Sequence, residues 1–146
     1  MKTMLDKATR EELIRRIEML NANSTPRWGK MTVYQMLKHC SQWEELALGR
    51  KKYKRMFMGY LFGKIALKDM LKDEPVKQNL PTVPSFKMTG SGDMAAEKVH
   101  WISLLREYDH TTVEPIVHPF FGKMTPEQTG TLDYKHADHH LKQFGC

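Results

Sequence analysis

The C-terminal segment constrains the fold of this chain more than any other stretch, because its start signals predict a long helix. Thr125 has the side chain of an N-cap residue, Pro126 suits the first helical position, and Gln128 stands where its side chain can close a capping box. Apolar residues then recur at helical spacing as far as Phe144. We therefore expect this segment to pack one face against other helices.

Two histidines lie on the apolar face of that predicted helix. His136 and His140 are four residues apart, and at about 100° per residue both fall within the arc of Leu132 and Phe144. His139 falls among the charged residues instead. Two stacked imidazoles can share a metal ion, or both can be core histidines that are satisfied by hydrogen bonds. A third ligand elsewhere in the chain would favour the metal.

A second helix offers that third ligand. Thr32 and Gln35 have the spacing of a capping box, and Gly49 suits the position just after a helix end. Within this helix His39 lies on the buried side, near its edge, whereas Cys40 points about 100° away and suits a small buried hydrophobe. Three neutral imidazoles with one open position suit zinc, and nickel is an alternative.

Two further helices and one accessory helix complete the predicted fold. A capping box at residues 9–12 opens the first helix, which runs to about Asn21, and Asp93 can cap a helix that ends near Asp109. Residues 56–71 are largely apolar and predict a shorter accessory helix, broken or flexed at its two glycines. No strand pattern of real length is present. The expected fold is all-α, a four-helix bundle forming one domain over residues 1–146.

Two loops and one basic run remain outside the main helices. The segments 72–92 and 110–124 lack periodicity and are candidates for a crossover or a lid over the site. Residues 50–55 carry five basic side chains in six positions. This run is either a solvated corner after a helix or a site for phosphate or nucleic acid.

Composition limits the function classes. The formal net charge of +6 permits an anionic partner without requiring one, and two cysteines make no disulfide framework. No apolar run reaches the length of a membrane span, and the first residues do not form the apolar core of a signal peptide. We expect a cytoplasmic protein with no membrane partner.

Several motifs resemble the DinB-like (YfiT-type) superfamily, and in particular its DUF1569 branch. They are WGKMT at 28–32, QMLKHC at 35–40, HPFFGKMTPE at 118–127, YKH at 134–136 and HLKQFG at 140–145. The resemblance implies a bundle with a long crossover between its second and third helices. It also implies a metal site made by His39, His136 and His140. Gln143 lies on the same face and is a candidate to orient one of these ligands.

The resemblance also implies a class of chemistry. Activities associated with the superfamily include metal-dependent transfer of low-molecular-weight thiols to electrophiles, and some hydrolytic or isomerase reactions. We therefore expect a divalent-metal-dependent transferase or hydrolase with a small-molecule substrate, and a thiol cosubstrate or a homodimer is compatible with this expectation. The sequence does not place an acid or base beside the site. The alternatives are a non-catalytic bundle stabilised by metal, and an anion- or nucleic-acid-binding module that uses residues 50–55.

Overall fold

The computed structural model describes all 146 residues and is mostly helical. Its five helices are α1 Lys7–Glu18, α2 Val33–Ala47, α3 Phe57–Met70, α4 Met94–Glu107 and α5 Pro126–Gln143. Two short strands, β1 Ile116–His118 and β2 Gly122–Met124, pair in antiparallel fashion. The helical class is as expected, and the small sheet was not predicted.

The helix ends follow local capping chemistry. The Thr32 side chain accepts from the Gln35 amide, and the Gln35 side chain accepts from the Thr32 amide, so the predicted capping box of α2 is present. Thr125 and Gln128 form the same motif at the start of α5. Gly49 follows α2 with a φ of 73°, a backbone conformation that suits glycine.

The predicted start of α1 was wrong. Asp6, and not Thr9, is the N-cap, since an Asp6 carboxylate oxygen accepts from the Thr9 amide at 2.8 Å. The helix therefore begins at Lys7. Asp is as good an N-cap as Thr, and the sequence contained both signals three residues apart.

Four helices surround the main core. Helix α2 packs against α4 and α5, and α1 packs against the same two helices. The apolar side chains between them are fully buried; they include Leu13, Ile17, Met36, Leu37, Trp101 and Leu141. This packing brings the inner faces of α2 and α5 together, which positions the candidate site.

Helix α3 differs from its prediction. It has 14 residues, the same as α4, and it continues unbroken through Gly59 and Gly63. Both glycines face the backbone of Phe120, and a Cβ built on either would collide with the Phe120 carbonyl oxygen. The glycines therefore permit close docking, and they do not interrupt the helix.

The long connection between α3 and α4 folds back over α2. It contains a 3-10 turn at Pro84–Phe86, and Phe86 is buried against Trp43 and Leu46 of α2. The predicted second connection, 110–124, carries the β1–β2 hairpin. Cys40 and Cys146 are both free, and no helix is long and apolar enough to cross a membrane.

Candidate metal centre

Three histidines meet between α2 and α5. The Nε2 atoms of His39 and His136 are 2.8 Å apart, and the ring centroids of the three pairs among His39, His136 and His140 are 4.7 to 4.9 Å apart. One nitrogen from each ring lies within 4.8 Å of the other two. The structure thus brings together the three residues that the helical phases selected.

Hydrogen bonds to the far side of two rings determine which nitrogen faces the centre. His39 Nδ1 lies 2.9 Å from the Phe86 carbonyl oxygen, which can only accept, so Nδ1 carries the proton and Nε2 keeps its lone pair. This contact comes from the long connection that was predicted to be a crossover or a lid. Such an outer partner orients an imidazole for metal binding.

Gln143 provides the equivalent contact for His140. The Gln143 Nε2 group donates to the Trp28 carbonyl oxygen at 2.8 Å, and this fixes the orientation of the amide. Its Oε1 atom then accepts from His140 Nδ1 at 2.8 Å. Gly29 follows Trp28 with a φ of 77°, and a Cβ there would lie 2.8 Å from Gln143 Nε2. The WGKMT motif therefore supports α5 in two ways. The Trp28 carbonyl accepts from Gln143, and Gly29, which has no side chain, leaves room for the Gln143 amide.

The electrostatic environment keeps the imidazoles neutral. Burial lowers the pKa of His140 to about 3, with a further contribution from His39. Burial also lowers the pKa of His39 and holds that of His136 well below its usual range. Since only the neutral imidazole has a lone pair for a metal, all three rings are ready to bind one near pH 7.

Aromatic side chains enclose the centre on one side. The Trp43 ring lies 5.2 Å from His136 and 6.2 Å from Phe86. His39 and His140 are buried, whereas His136 keeps partial access to solvent. The Trp43 Nε1–H group is buried and has no hydrogen-bond partner.

His139 lies beside the cluster without joining it. Its ring packs against Trp28 at 5.4 Å and against the edge of His140 at 5.2 Å. It lines a cleft of about 400 Å³ together with Trp28, Tyr134 and Val76, among others. The three clustered imidazoles do not line that cleft. His139 therefore serves as an internal control for any test of the cluster.

His118 has a structural position at the hairpin turn. Its Nδ1 accepts from the backbone amides of Phe120 and Phe121 at 3.1 and 3.0 Å, and its ring stacks on Phe121. Burial lowers the pKa of His118 to about 3, with a smaller contribution from the Arg55 charge. The ring therefore remains neutral and holds the β1–β2 turn beside Trp43.

A buried pair of acids was missed by the sequence analysis. The Tyr108 hydroxyl lies 3.0 Å from a Glu44 carboxyl oxygen and 2.7 Å from one of Asp133, and Trp101 Nε1 donates to Glu44 at 3.2 Å. The hydroxyl has one proton, so it can donate to only one of the two acids. Burial raises the pKa of Asp133 to about 6 and that of Glu44 well above its usual range.

The helical phase could have identified both acids. At about 100° per residue, Glu44 falls between Cys40 and Leu37 in the apolar arc of α2, and Asp133 falls between His140 and Phe144 in that of α5. Both side chains are essentially inaccessible to solvent. An acid in the middle of an apolar arc must find a partner, and here each acid finds the other.

Cys40 has an ordinary structural role, and part of the basic run is ion-paired. The Cys40 thiol is buried, and burial raises its pKa well above its usual range, so it remains a neutral core side chain. In the basic run, Arg50 pairs with Glu107 and Lys51 pairs with Glu45. Two of the five cations are thus neutralised at the corner after α2.

Comparison with known proteins identifies a family and no characterised relative. The model of the family "Protein of unknown function (DUF1569)" matches residues 2–145. No curated protein and no solved structure matches the chain. The matched range includes the three histidines, Gln143 and the loop that holds Gln143. The chain belongs to the DUF1569 family.

Proposed function

We propose that this protein is a metal-dependent enzyme of the DinB-like superfamily, and that His39, His136 and His140 hold one divalent ion in it. In this proposal α1, α2, α4 and α5 form the four-helix bundle of that superfamily, with α3 in its long crossover. The observation that carries the proposal is the convergence of three imidazoles, two of which have their Nδ1 atoms occupied by outer hydrogen bonds.

The donor set fits a late transition metal. Imidazole nitrogens suit zinc and nickel, whereas magnesium and calcium prefer oxygen ligands, and no carboxylate belongs to the cluster. The 2.8 Å separation of the two Nε2 atoms is that of a hydrogen bond, because two lone pairs alone would repel each other. In the metal-free state, a proton on His136 Nε2 satisfies this contact.

An ion of this type, held by His39, His136 and His140, would supply Lewis-acid activation of a thiol or a water molecule. The protein's own residues contribute orientation and exclusion of water. Phe86 and Gln143 fix the rings of His39 and His140, and Trp43 shields the centre. The reaction class that we favour is transfer of a low-molecular-weight thiol to an electrophile, with hydrolysis as the second choice.

Metal analysis of single variants tests the ligands. We expect one zinc or nickel ion per chain, and His39→Ala, His136→Ala and His140→Ala should each lose most of the affinity. His139→Ala, whose ring lies outside the cluster, should lose little. Metal binding that is retained in His140→Ala but lost in His139→Ala would contradict the proposed ligand set.

A screen of thiols with electrophiles then separates the enzyme from a bundle that metal only stabilises. Turnover that requires the ion and is abolished by His136→Ala supports the enzyme. Full metal binding with a higher melting temperature and no turnover in this screen or in a hydrolase screen would favour the structural role.

The anion-binding alternative has its own test. Replacing Lys51, Lys52 and Lys54 with Gln should leave stability and metal-dependent activity nearly unchanged. A steeply salt-dependent affinity for DNA or RNA that this triple variant loses would favour a nucleic-acid-binding module instead.

A further inference from the structure

Helix α3 presents its large apolar side chains to solvent. Phe57, Leu61 and Ile65 follow one another at a spacing of four residues and are 75%, 57% and 72% exposed. Met58, Tyr60 and Phe62 extend this surface and are 47% to 69% exposed. We call these six residues the α3 stripe. Contiguous exposed apolar surface of this kind marks an interaction site in soluble proteins.

The stripe cannot turn inward, because the opposite face of α3 is fitted to the protein. Gly59, Gly63 and Leu67 form the buried face. The two glycines lie so close to the Phe120 carbonyl that no larger side chain fits there. Turning the helix about its axis would bring the bulky residues against that backbone. The outward direction of the stripe is therefore a fixed property of the fold.

Cations without carboxylate partners border the stripe. Lys52, Lys54 and Arg55 precede the helix, and no acid pairs with any of them. Arg55 lies over the Tyr60 ring at 4.3 Å. By helical phase Lys64 and Lys68 lie within the stripe, between Tyr60 and Leu61, and Lys64 donates to the Lys123 carbonyl.

Acids near the stripe are few. Asp69 lies on the other side of Leu61, between Met58 and Phe62, and is already bonded to Lys72 at 2.6 Å. Cations without acid partners therefore outnumber acids in the stripe and in the segment before it, which indicates an anionic partner.

We propose that the α3 stripe docks this protein on an anionic lipid surface, with Phe57, Leu61 and Ile65 entering the headgroup region. A helix that lies in the membrane interface combines aromatic and aliphatic side chains on one face with flanking Lys and Arg. The stripe forms a ridge and not a groove, so it suits insertion into a soft surface. The expectation of no membrane partner rested on the lack of a spanning segment, and a helix lying flat needs none.

Self-association of the stripe is the less favourable alternative. In an antiparallel two-fold pair of α3 helices, each edge meets the same edge of the other copy. The Lys64 and Lys68 side chains of both copies would then lie on the same side of the contact. The charge pattern therefore disfavours an antiparallel pair of copies as the occupant.

Co-sedimentation with vesicles tests the proposal on the full chain. The vesicles contain phosphatidylcholine alone, or phosphatidylcholine and phosphatidylglycerol in equal amounts. The wild type should sediment with the anionic vesicles and should not bind the neutral ones. Added salt should weaken the binding to the anionic vesicles. Leu61→Ser with Ile65→Ser should reduce the affinity by about tenfold or more. Lys54→Gln and Lys68→Gln should each reduce it by about fivefold.

The matched controls are exposed residues outside α3. Met19 and Val99 are 66% and 67% exposed, so Met19→Ser with Val99→Ser removes similar apolar surface from outside the stripe and should leave vesicle binding unchanged. The proposal is overturned if the wild type ignores anionic vesicles, or if the control pair loses as much affinity as the stripe pair. It is also overturned if the protein is a dimer that the stripe variant converts to a monomer, because a second copy then covers the stripe.

Discussion

At the scale of single residues, the orientation of one amide links two distant parts of the chain. Gln143 donates to the Trp28 carbonyl and accepts from His140, so the residue bridges the loop before α2 and the imidazole on α5. The sequence placed Gln143 on the correct face of its helix. It could not show the Trp28 carbonyl, because a backbone group in a loop has no sequence signature.

We predict that Gln143→Leu weakens metal binding without abolishing it. Leucine has a similar volume but cannot accept from His140 Nδ1, so the ring loses its fixed orientation. Loss of such an outer hydrogen bond typically costs about 10- to 100-fold in metal affinity. A zinc titration against a competing chelator measures this change. Gln78→Leu, at an exposed loop position, is the control, and equal affinities for the two variants would show that the amide does not orient the ligand.

Helical phase predicted the meeting of the three histidines well, because the direction of a side chain on a regular helix follows from its position alone. The same arithmetic places Glu44 and Asp133 inward, but it cannot show that they meet each other and Tyr108. That contact depends on how far α2, α4 and α5 are shifted along their axes relative to one another. Distances between elements are therefore the part of the site that the sequence left open.

At the scale of elements, helix ends were predictable wherever one capping signal was present, as at Thr32, Asp93 and Thr125. The strands β1 and β2 have three residues each, which is too short for an alternating pattern to be recognised.

Helix α3 was misjudged for another reason. Its glycines weaken the helix locally, but their packing against Phe120 compensates, and tertiary packing cannot be seen in the sequence.

We predict that Gly63→Ala destabilises the protein although alanine is the better helix former. On an exposed helix face this change would stabilise by up to about 1 kcal/mol. Here the new methyl group meets the Phe120 carbonyl, so α3 must shift, at a cost of about 1 to 3 kcal/mol. Urea unfolding measures the difference. Lys68→Ala, on the exposed side of the same helix, should change stability by less than about 0.5 kcal/mol. A Gly63→Ala protein as stable as the wild type would mean that α3 is not docked through its glycines.

At the scale of the whole molecule, folding controls the protonation of several buried groups. His39, His136, His140 and His118 are held neutral by burial, so the metal-free native state takes up fewer protons than the unfolded chain below about pH 6.5. Glu44 and Asp133 act in the opposite direction, because their raised pKa values keep protons on the native state. Acidification of the metal-free protein therefore lowers its stability through these histidines and raises it through the two acids.

His118→Asn isolates one histidine of this balance without touching a proposed ligand. The Asn side-chain oxygen can accept from the amides of Phe120 and Phe121 as Nδ1 does, but it does not titrate. The pKa of His118 is about 3 in the native state and about 6.5 in the unfolded chain, so its contribution to stability is lost as pH falls from 6.5 towards 3. Without His118, the free energy of unfolding of the metal-free protein should fall less steeply on acidification. The difference in slope should be about 1.4 kcal/mol per pH unit between pH 6 and 5.

Urea titrations at several pH values with a chelator present measure this slope. Asn is smaller than His and packs less well, but this loss of stability is the same at every pH. It therefore leaves the slope of unfolding free energy against pH unaffected. A His118→Asn slope equal to that of the wild type would mean that His118 is already charged in the native protein.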